Sequence, residues 1–221
     1  GTSMYAWKFN MPSSIFFGAG ARKELAPIAQ GRRLLMVASV RGRKEFLEDG
    51  ILGKLAQTGQ CTWMTDVRPQ PELANLQESI DKLAGERFDA VVAFGGGSAI
   101  DTAKALAACL APTSSTCELS RLLEEPELCG GIEPLPLHAL STTSGTGAEV
   151  TPFATIWDSA RKKKLSLAGP SLFPHSAFVD PELTYDLPWD ITVSTGLDAL
   201  NQAFESVWNK RASSMTLSLA A

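Results

Sequence analysis

Short apolar runs alternate along the chain with stretches in which apolar residues recur every three or four positions. Arg33 to Ser39 carries the continuous run Leu34-Leu35-Met36-Val37-Ala38, the pattern of a strand covered on both faces. An extended piece precedes it at Ser14-Ile15-Phe16-Phe17-Gly18. A helix is predicted over Lys44 to Gln57, a strand over Cys61 to Met64, and a helix over Glu72 to Ala84 with Leu73, Leu76, Ile80 and Leu83 on one face. Further strands are predicted at Ala90 to Phe94 and at Leu135 to Leu140. Strands that alternate with helices in this way predict an α/β fold, a parallel sheet with right-handed crossovers and helices on both faces. Phe153 to Trp157 and Lys164 to Leu167 are predicted to pair as antiparallel strands around Asp158-Ser159-Ala160.

The texture changes between Pro181 and Asp190, where Pro181 and Pro188 bracket Tyr185-Asp186-Leu187. A domain boundary is placed there, with residues 4–185 as one α/β domain and 186–221 as the first helices of an all-α domain. Leu197, Leu200, Phe204, Val207 and Trp208 form the apolar stripe of that second part. The chain reaches Ala221 inside what reads as another helix, so the second domain is expected to be begun and not finished. Gly1-Thr2-Ser3 is expected to be a remnant ahead of the native start at Met4.

Composition narrows the class without naming a chemistry. The 221 residues are 44% hydrophobic and 20% charged with a mean hydropathy of +0.01, the profile of a globular protein with a sizeable core. A formal net charge of −4 and a pI near 5.3 argue against a nucleic-acid partner, which needs clustered positive charge. The basic run Arg161-Lys162-Lys163-Lys164 is local. No stretch approaches the ~18 consecutive apolar residues of a membrane span, so no membrane partner is expected. Cys61, Cys109, Cys117 and Cys129 lack CxxC spacing and read as reduced thiols of a cytoplasmic protein.

The chemistry is concentrated in two turns. Gly95-Gly96-Gly97-Ser98 follows the strand ending at Phe94 and leads into the helix-forming Ala105-Leu106-Ala107-Ala108. Residues without a Cβ let backbone N–H groups approach a ligand, and a helix beginning near Ser98 adds unpaired N–H groups and a positive dipole end. That is a seat for a phosphate, where the bland alternative is a tight turn that only reverses the chain. The second turn, Thr142-Thr143-Ser144-Gly145-Thr146-Gly147, also ends a strand, at the edge where open α/β sheets bind ligands.

The glycine turn with Asp101 and Lys104, the turn running from Thr142 to Thr151, Lys164, Asp180-Pro181 and Thr195-Gly196-Leu197-Asp198-Ala199-Leu200 together resemble the iron-containing (group III) alcohol dehydrogenase family, in order and over nearly the whole chain. The resemblance implies a Rossmann-like dinucleotide-binding domain, an all-helical metal and substrate domain, and hydride transfer between NAD(P)H and an aldehyde or alcohol. It implies cofactor contacts from Gly95, Gly96, Gly97, Ser98, Asp101, Thr142, Thr143 and Thr146, with Lys164 at the nicotinamide ribose side. Ser39 stands where NAD-preferring relatives often carry an acid. A serine there tolerates a 2′-phosphate, and Arg41, Arg43 and Lys44 follow at once, so NADP(H) is expected ahead of NAD(H). A homo-oligomer is expected. The stretch Ala203 to Ala212 is similar to the subgroup that reduces phosphonoacetaldehyde.

The metal pattern departs from that family, whose members hold a divalent iron or zinc through an Asp, a His four residues later and two further His. Asp198 is present, but position 202 is Gln202, and a neutral amide oxygen is a poor substitute for imidazole. Little bound metal is expected. Two alternatives stay open: a lyase of the dehydroquinate synthase type, which shares the architecture, and a nucleotide-binding module without catalysis.

Overall fold

The computed structural model describes residues 12–114, 118–143 and 147–184. Strands β1 (Ser14–Phe17), β2 (Arg33–Val37), β3 (Gln60–Met64), β4 (Ala90–Gly95), β5 (Leu137–Ser141) and β8 (Ser176–Val179) form a six-stranded sheet in the order β1-β8-β5-β4-β2-β3, every pair parallel. Strands β6 (Phe153–Asp158) and β7 (Lys163–Ala168) form a separate antiparallel hairpin. The helices are α1 (Leu25–Ala29), α2 (Val40–Glu48), α3 (Leu52–Thr58), α4 (Leu73–Leu83), α5 (Gly97–Cys109) and α6 (Leu119–Glu124).

The unbroken apolar runs are explained by two cores, one on each face of the sheet. Leu34 and Met36 of β2, with Ala90, Val92 and Phe94 of β4, pack with Leu25, Phe46 and Leu52 of α1, α2 and α3. Their neighbours Leu35, Val37, Val91 and Ala93 point the other way, into a core shared with α4, α5, α6 and the hairpin. Side chains alternate between faces along a strand, so a strand covered twice must be apolar at every position.

The α/β class and the parallel crossovers are as the pattern predicted. The single helix expected over Lys44 to Gln57 is two helices and begins earlier. Ser39 caps α2 by accepting from Gly42 N at 3.0 Å. The break follows from Asp49, whose backbone is extended and whose carboxylate accepts from Ile51 N and Leu52 N at 3.0 and 2.8 Å, starting α3. The glycine-led helix α5 starts at Gly97, one residue before the expected Ser98. Helix α6 and strand β8 were not anticipated, being six and four residues long. The boundary expected after residue 185 and the helical stretch 186–221 lie outside the described residues.

His138 of β5 is 1% exposed and lies at the sheet edge opposite the glycine turn. Its Nδ1 shares a hydrogen bond with the Ser176 hydroxyl of β8, and its Nε2 has no partner among the described residues. Burial, helped by the nearby His175 and Arg32 charges, pushes the imidazole from 6.5 down to about 4. As pH falls from 6.5, the unfolded chain takes up a proton that the folded site refuses until about pH 4, so stability is lost across that window and levels off below it. The expected loss is about 3 kcal/mol. Denaturant titrations at pH 7, 5.5 and 4 check this: His138→Gln is expected to lose distinctly less stability than the parent over that range, and equal losses would assign the acid sensitivity elsewhere.

Candidate functional site

Strands β4 and β5 are neighbours, so their C-terminal ends bring the two small-residue turns together. Gly95 pairs with Ser141, and Thr142 N donates to Gly95 O at 2.9 Å. Gly95 has a φ of +151°, and a Cβ on it would lie 2.9 Å from the Ala99 Cβ, so the turn requires glycine here for backbone and packing alike. Gly96 is the N-cap of α5, and a Cβ there would meet Thr143 Oγ1 at 3.0 Å and Cγ2 at 3.3 Å. The two turns thus approach so closely at Gly96 that Thr143 would have to give way to any side chain there.

The N-terminus of α5 divides two cavities. The larger, about 990 Å³, runs from Gly95, Gly96, Thr142 and Thr143 to Ser39 and Arg41, and is closed by Asp49, Leu183 and Thr184. The smaller, about 570 Å³, has Gly97, Ser98 and Asp101 on one wall, Ala148, Thr151 and Phe153 on the other, and Lys164 of β7 at its side. Both volumes are in the range of small-molecule sites. A third cavity of about 750 Å³ opens at the opposite sheet edge beside Arg33, Asp81, Arg87 and Ser114. It has no glycine turn, and the helix start beside it, that of the six-residue α6, carries the acidic Glu118.

Nine of the ten residues expected to touch a cofactor are therefore gathered around one helix start: Ser39, Gly95, Gly96, Thr142 and Thr143 on one side, Gly97, Ser98, Asp101 and Lys164 on the other. Thr146, and the expected metal residues Asp198 and Gln202, lie outside the described residues. Ser98 donates its hydroxyl to Pro69 O at 2.5 Å, and Asp101 accepts from Thr155 N at 3.1 Å. Of the three basic residues after Ser39, only Arg41 lines the larger cavity. Arg43 stacks on Trp63 at 5.5 Å and Lys44 pairs with Glu48 at 3.9 Å. The expectation that all three face one phosphate is thus narrowed to Arg41, whose present partner is Glu45 at 2.9 Å. Among the described residues, no group of three or more His, Cys, Asp or Glu is arranged to hold a metal ion, and no helix is long and apolar enough to cross a membrane.

Two charge clusters brace the cavities; Asp101, Lys104 and Asp180 stand out in the sequence, whereas Arg22 and Asp49 do not. Arg22 reaches Asp49 at 3.0 Å, Asp180 at 2.9 Å and Glu182 at 2.6 Å. Asp180 also accepts from Gly20 N, Arg22 N and Glu182 N. Burial alone would raise the Asp49 carboxyl, but the Leu52 N–H, the Arg22 side chain and the Ile51 N–H hold it below its ordinary value. On the other side Lys104, 1% exposed, donates to Ala148 O at 2.7 Å, Phe153 O at 2.9 Å and Thr151 Oγ1 at 3.2 Å. Burial lowers its ammonium to about 8 against the pull of Asp101 and Glu149, and raises both of those carboxyls. An ammonium without partners at this depth would cost several kcal/mol. Lys104 is part of the motif that carries the resemblance, but its partners are not legible in the sequence, and an arginine near the N-terminus gives no signal at all.

The family model described as iron-containing alcohol dehydrogenase matches residues 12–181. Choline dehydrogenase of Bacillus subtilis is 34% identical over 222 aligned residues, covering 96% of this chain and 53% of that protein. NADPH-dependent butanol dehydrogenase of Clostridium saccharobutylicum is 31% identical, covering 90% of this chain and 51% of that one. The crystal structure of sulfoacetaldehyde reductase from Bifidobacterium kashiwanohense in complex with NAD+ superposes with a TM-score of 0.69 at 31% identity, covering 88% of this chain and 51% of that chain. The chain spans about half the length of the relatives it matches.

The geometry at Ser39 gives a test that needs no ligand. Ser39→Ala removes the acceptor for Gly42 N and is expected to cost about 1 kcal/mol of stability in urea titration. An unchanged midpoint would mean that water caps α2 as well as the hydroxyl does.

Proposed function

The chain belongs to the iron-containing alcohol dehydrogenase family, and on that footing we propose that it forms the dinucleotide-binding part of an NAD(P)H-dependent alcohol dehydrogenase or aldehyde reductase. The observation that carries this reading is the meeting of the Gly95–Ser98 and Thr142–Thr143 turns at the start of α5, with a cavity on each side. A helix N-terminus offers N–H groups that nothing inside the helix can pair. In this reading the N–H groups of Gly96, Gly97 and Ser98 take the pyrophosphate, while Thr142 and Thr143 bond it from the facing lip, and Thr146 is kept as a further cofactor residue. The adenosine half lies in the larger cavity beside Ser39 and Arg41, and the nicotinamide half in the smaller one beside Asp101 and Lys164.

The bound cofactor supplies hydride for a carbonyl carbon; the chain's own residues hold the dinucleotide and exclude water from the turn. Residues 186–221 would begin the helical domain that faces it. An aldehyde with a neighbouring anionic group, such as phosphonoacetaldehyde, is the proposed substrate class, supported by the similarity to a sulfoacetaldehyde reductase. Homo-oligomeric assembly and a cytoplasmic location belong to the same reading. A second reading is a nucleotide-binding module without catalysis.

Preference for NADP(H) over NAD(H) follows from Ser39 and Arg41. The Ser39 oxygen is used as an acceptor by Gly42 N, which leaves its hydrogen to donate to a 2′-phosphate. The exposed Arg41–Glu45 pair is weak enough to exchange partners. Glu45, Glu48 and Asp49 line the same cavity and oppose a further negative charge, so the preference is expected to be modest, roughly tenfold or about 1.4 kcal/mol. Calorimetric titration with NADPH and NADH measures it, and equal affinities or tighter NADH binding would refute it.

Gly96→Val tests the turn itself. Its Cβ would stand 3.0 Å from Thr143 Oγ1, and the two added methyls would fill the gap where a pyrophosphate must meet backbone. Loss of measurable NADPH binding with an unchanged circular dichroism spectrum is expected. Undiminished affinity in the folded variant would return Gly95–Ser98 to a turn that only reverses the chain.

A further inference from the structure

The two walls of the smaller cavity are joined by side chains from α5. Gly97, Ser98 and Asp101 form one wall; Ala148, Thr151 and Phe153 form the other. The three oxygens that Lys104 grips belong to Ala148, Thr151 and Phe153, the facing wall itself. One turn earlier on α5, Asp101 accepts from Thr155 N at 3.1 Å. The cation thus takes oxygens and the anion takes an N–H from one stretch of chain, Ala148 to Thr155, so neither competes for the other's partner.

Resting on the dinucleotide reading above, we propose that Lys104 is a positioning residue, which holds the Ala148–Phe153 segment at the distance from the start of α5 that the nicotinamide half of the cofactor requires. Lys104 lies behind the wall rather than in the cavity, being 1% exposed. It therefore acts through the wall. A charged ammonium has three hydrogens for its three acceptors. A neutral amine has two, and its lone pair then faces one of the oxygens.

The charged groups facing Lys104 are Asp101 on its own helix and Glu149 on the short helical turn Ala148–Val150; β6 offers it the Phe153 carbonyl and ring, the ring 5.9 Å away. The ammonium titrates near 8, so the clamp is complete at pH 7 and weakened at pH 9.5. The adenosine half, in the larger cavity on the other side of α5, should not feel the change.

The test compares the whole chain with its Lys104→Met variant, using NADPH and AMP as probes. At pH 7 the variant is expected to bind NADPH about tenfold more weakly, with AMP affinity within twofold of the parent. The parent is expected to lose NADPH affinity severalfold between pH 7 and 9.5 while AMP affinity stays level, and a folded variant should lack that dependence. A folded variant with unchanged NADPH affinity, or with equal losses for NADPH and AMP, would overturn the proposal. Should the variant fail to fold, the parent's pH series decides: flat NADPH affinity overturns the proposal, and selective loss supports it. A parent chain that binds neither probe overturns the dinucleotide reading, and this proposal with it.

Discussion

Burial of α5 from Thr102 to Cys109 is the constraint from which the rest of the structure follows. From Thr102 to Cys109 no residue of this helix reaches solvent appreciably, because β4 and β5 lie on one side and α4 and the β6–β7 hairpin on others. Such a helix admits small residues where elements approach closely, hence Ala103, Ala105, Ala107 and Ala108. It also dictates where its polar ends go. The C-terminal end finds a partner in Leu135 N, which donates to Ala107 O at 2.9 Å. The N-terminal end opens between the two cavities, with its N–H groups turned toward a ligand. A charge two turns inside that end must find hydrogen-bond partners, and Lys104 finds three in Ala148 O, Thr151 Oγ1 and Phe153 O.

The opposite face of the sheet is braced differently but to the same effect. Arg22 ties the turn after β1 to the α2–α3 junction at Asp49 and to the segment after β8 at Asp180 and Glu182. These are three chain segments far apart in sequence, and two of them, through Asp49 and through Leu183, close the larger cavity. One charged cluster therefore fixes each cavity: Arg22 behind the first, Lys104 behind the second. Rigid supports outside the contact surface keep a loop-built site in register.

Much of this was legible in the chain. The unbroken apolar runs of β2 and β4 specify strands covered on both faces, and the glycine run after β4 specifies a close approach of backbone. What escaped was decided by tertiary contacts. The division of α2 from α3 depends on Asp49 turning its carboxylate onto Ile51 and Leu52, a choice stabilised by Arg22 from another part of the chain. Helix propensity alone does not encode it. Strand β8 is four residues long, too short to display a period, and is specified by the vacant place between β1 and β5. The basic residues after Ser39 looked equivalent in sequence, yet Trp63 draws Arg43 aside and leaves Arg41 at the cavity.

The central claim is that a dinucleotide is held by the start of α5, between the Gly95–Ser98 and Thr142–Thr143 turns. Amide resonances of the isotope-labelled chain, followed during titration with NADP+, test it most directly. Saturable shifts concentrated at Gly95, Gly96, Gly97, Ser98, Thr142 and Thr143 are predicted. Shifts gathered instead around Asp81, Arg87 and Ser114, the cavity at the opposite edge of the sheet, or no shifts at all, would contradict the account.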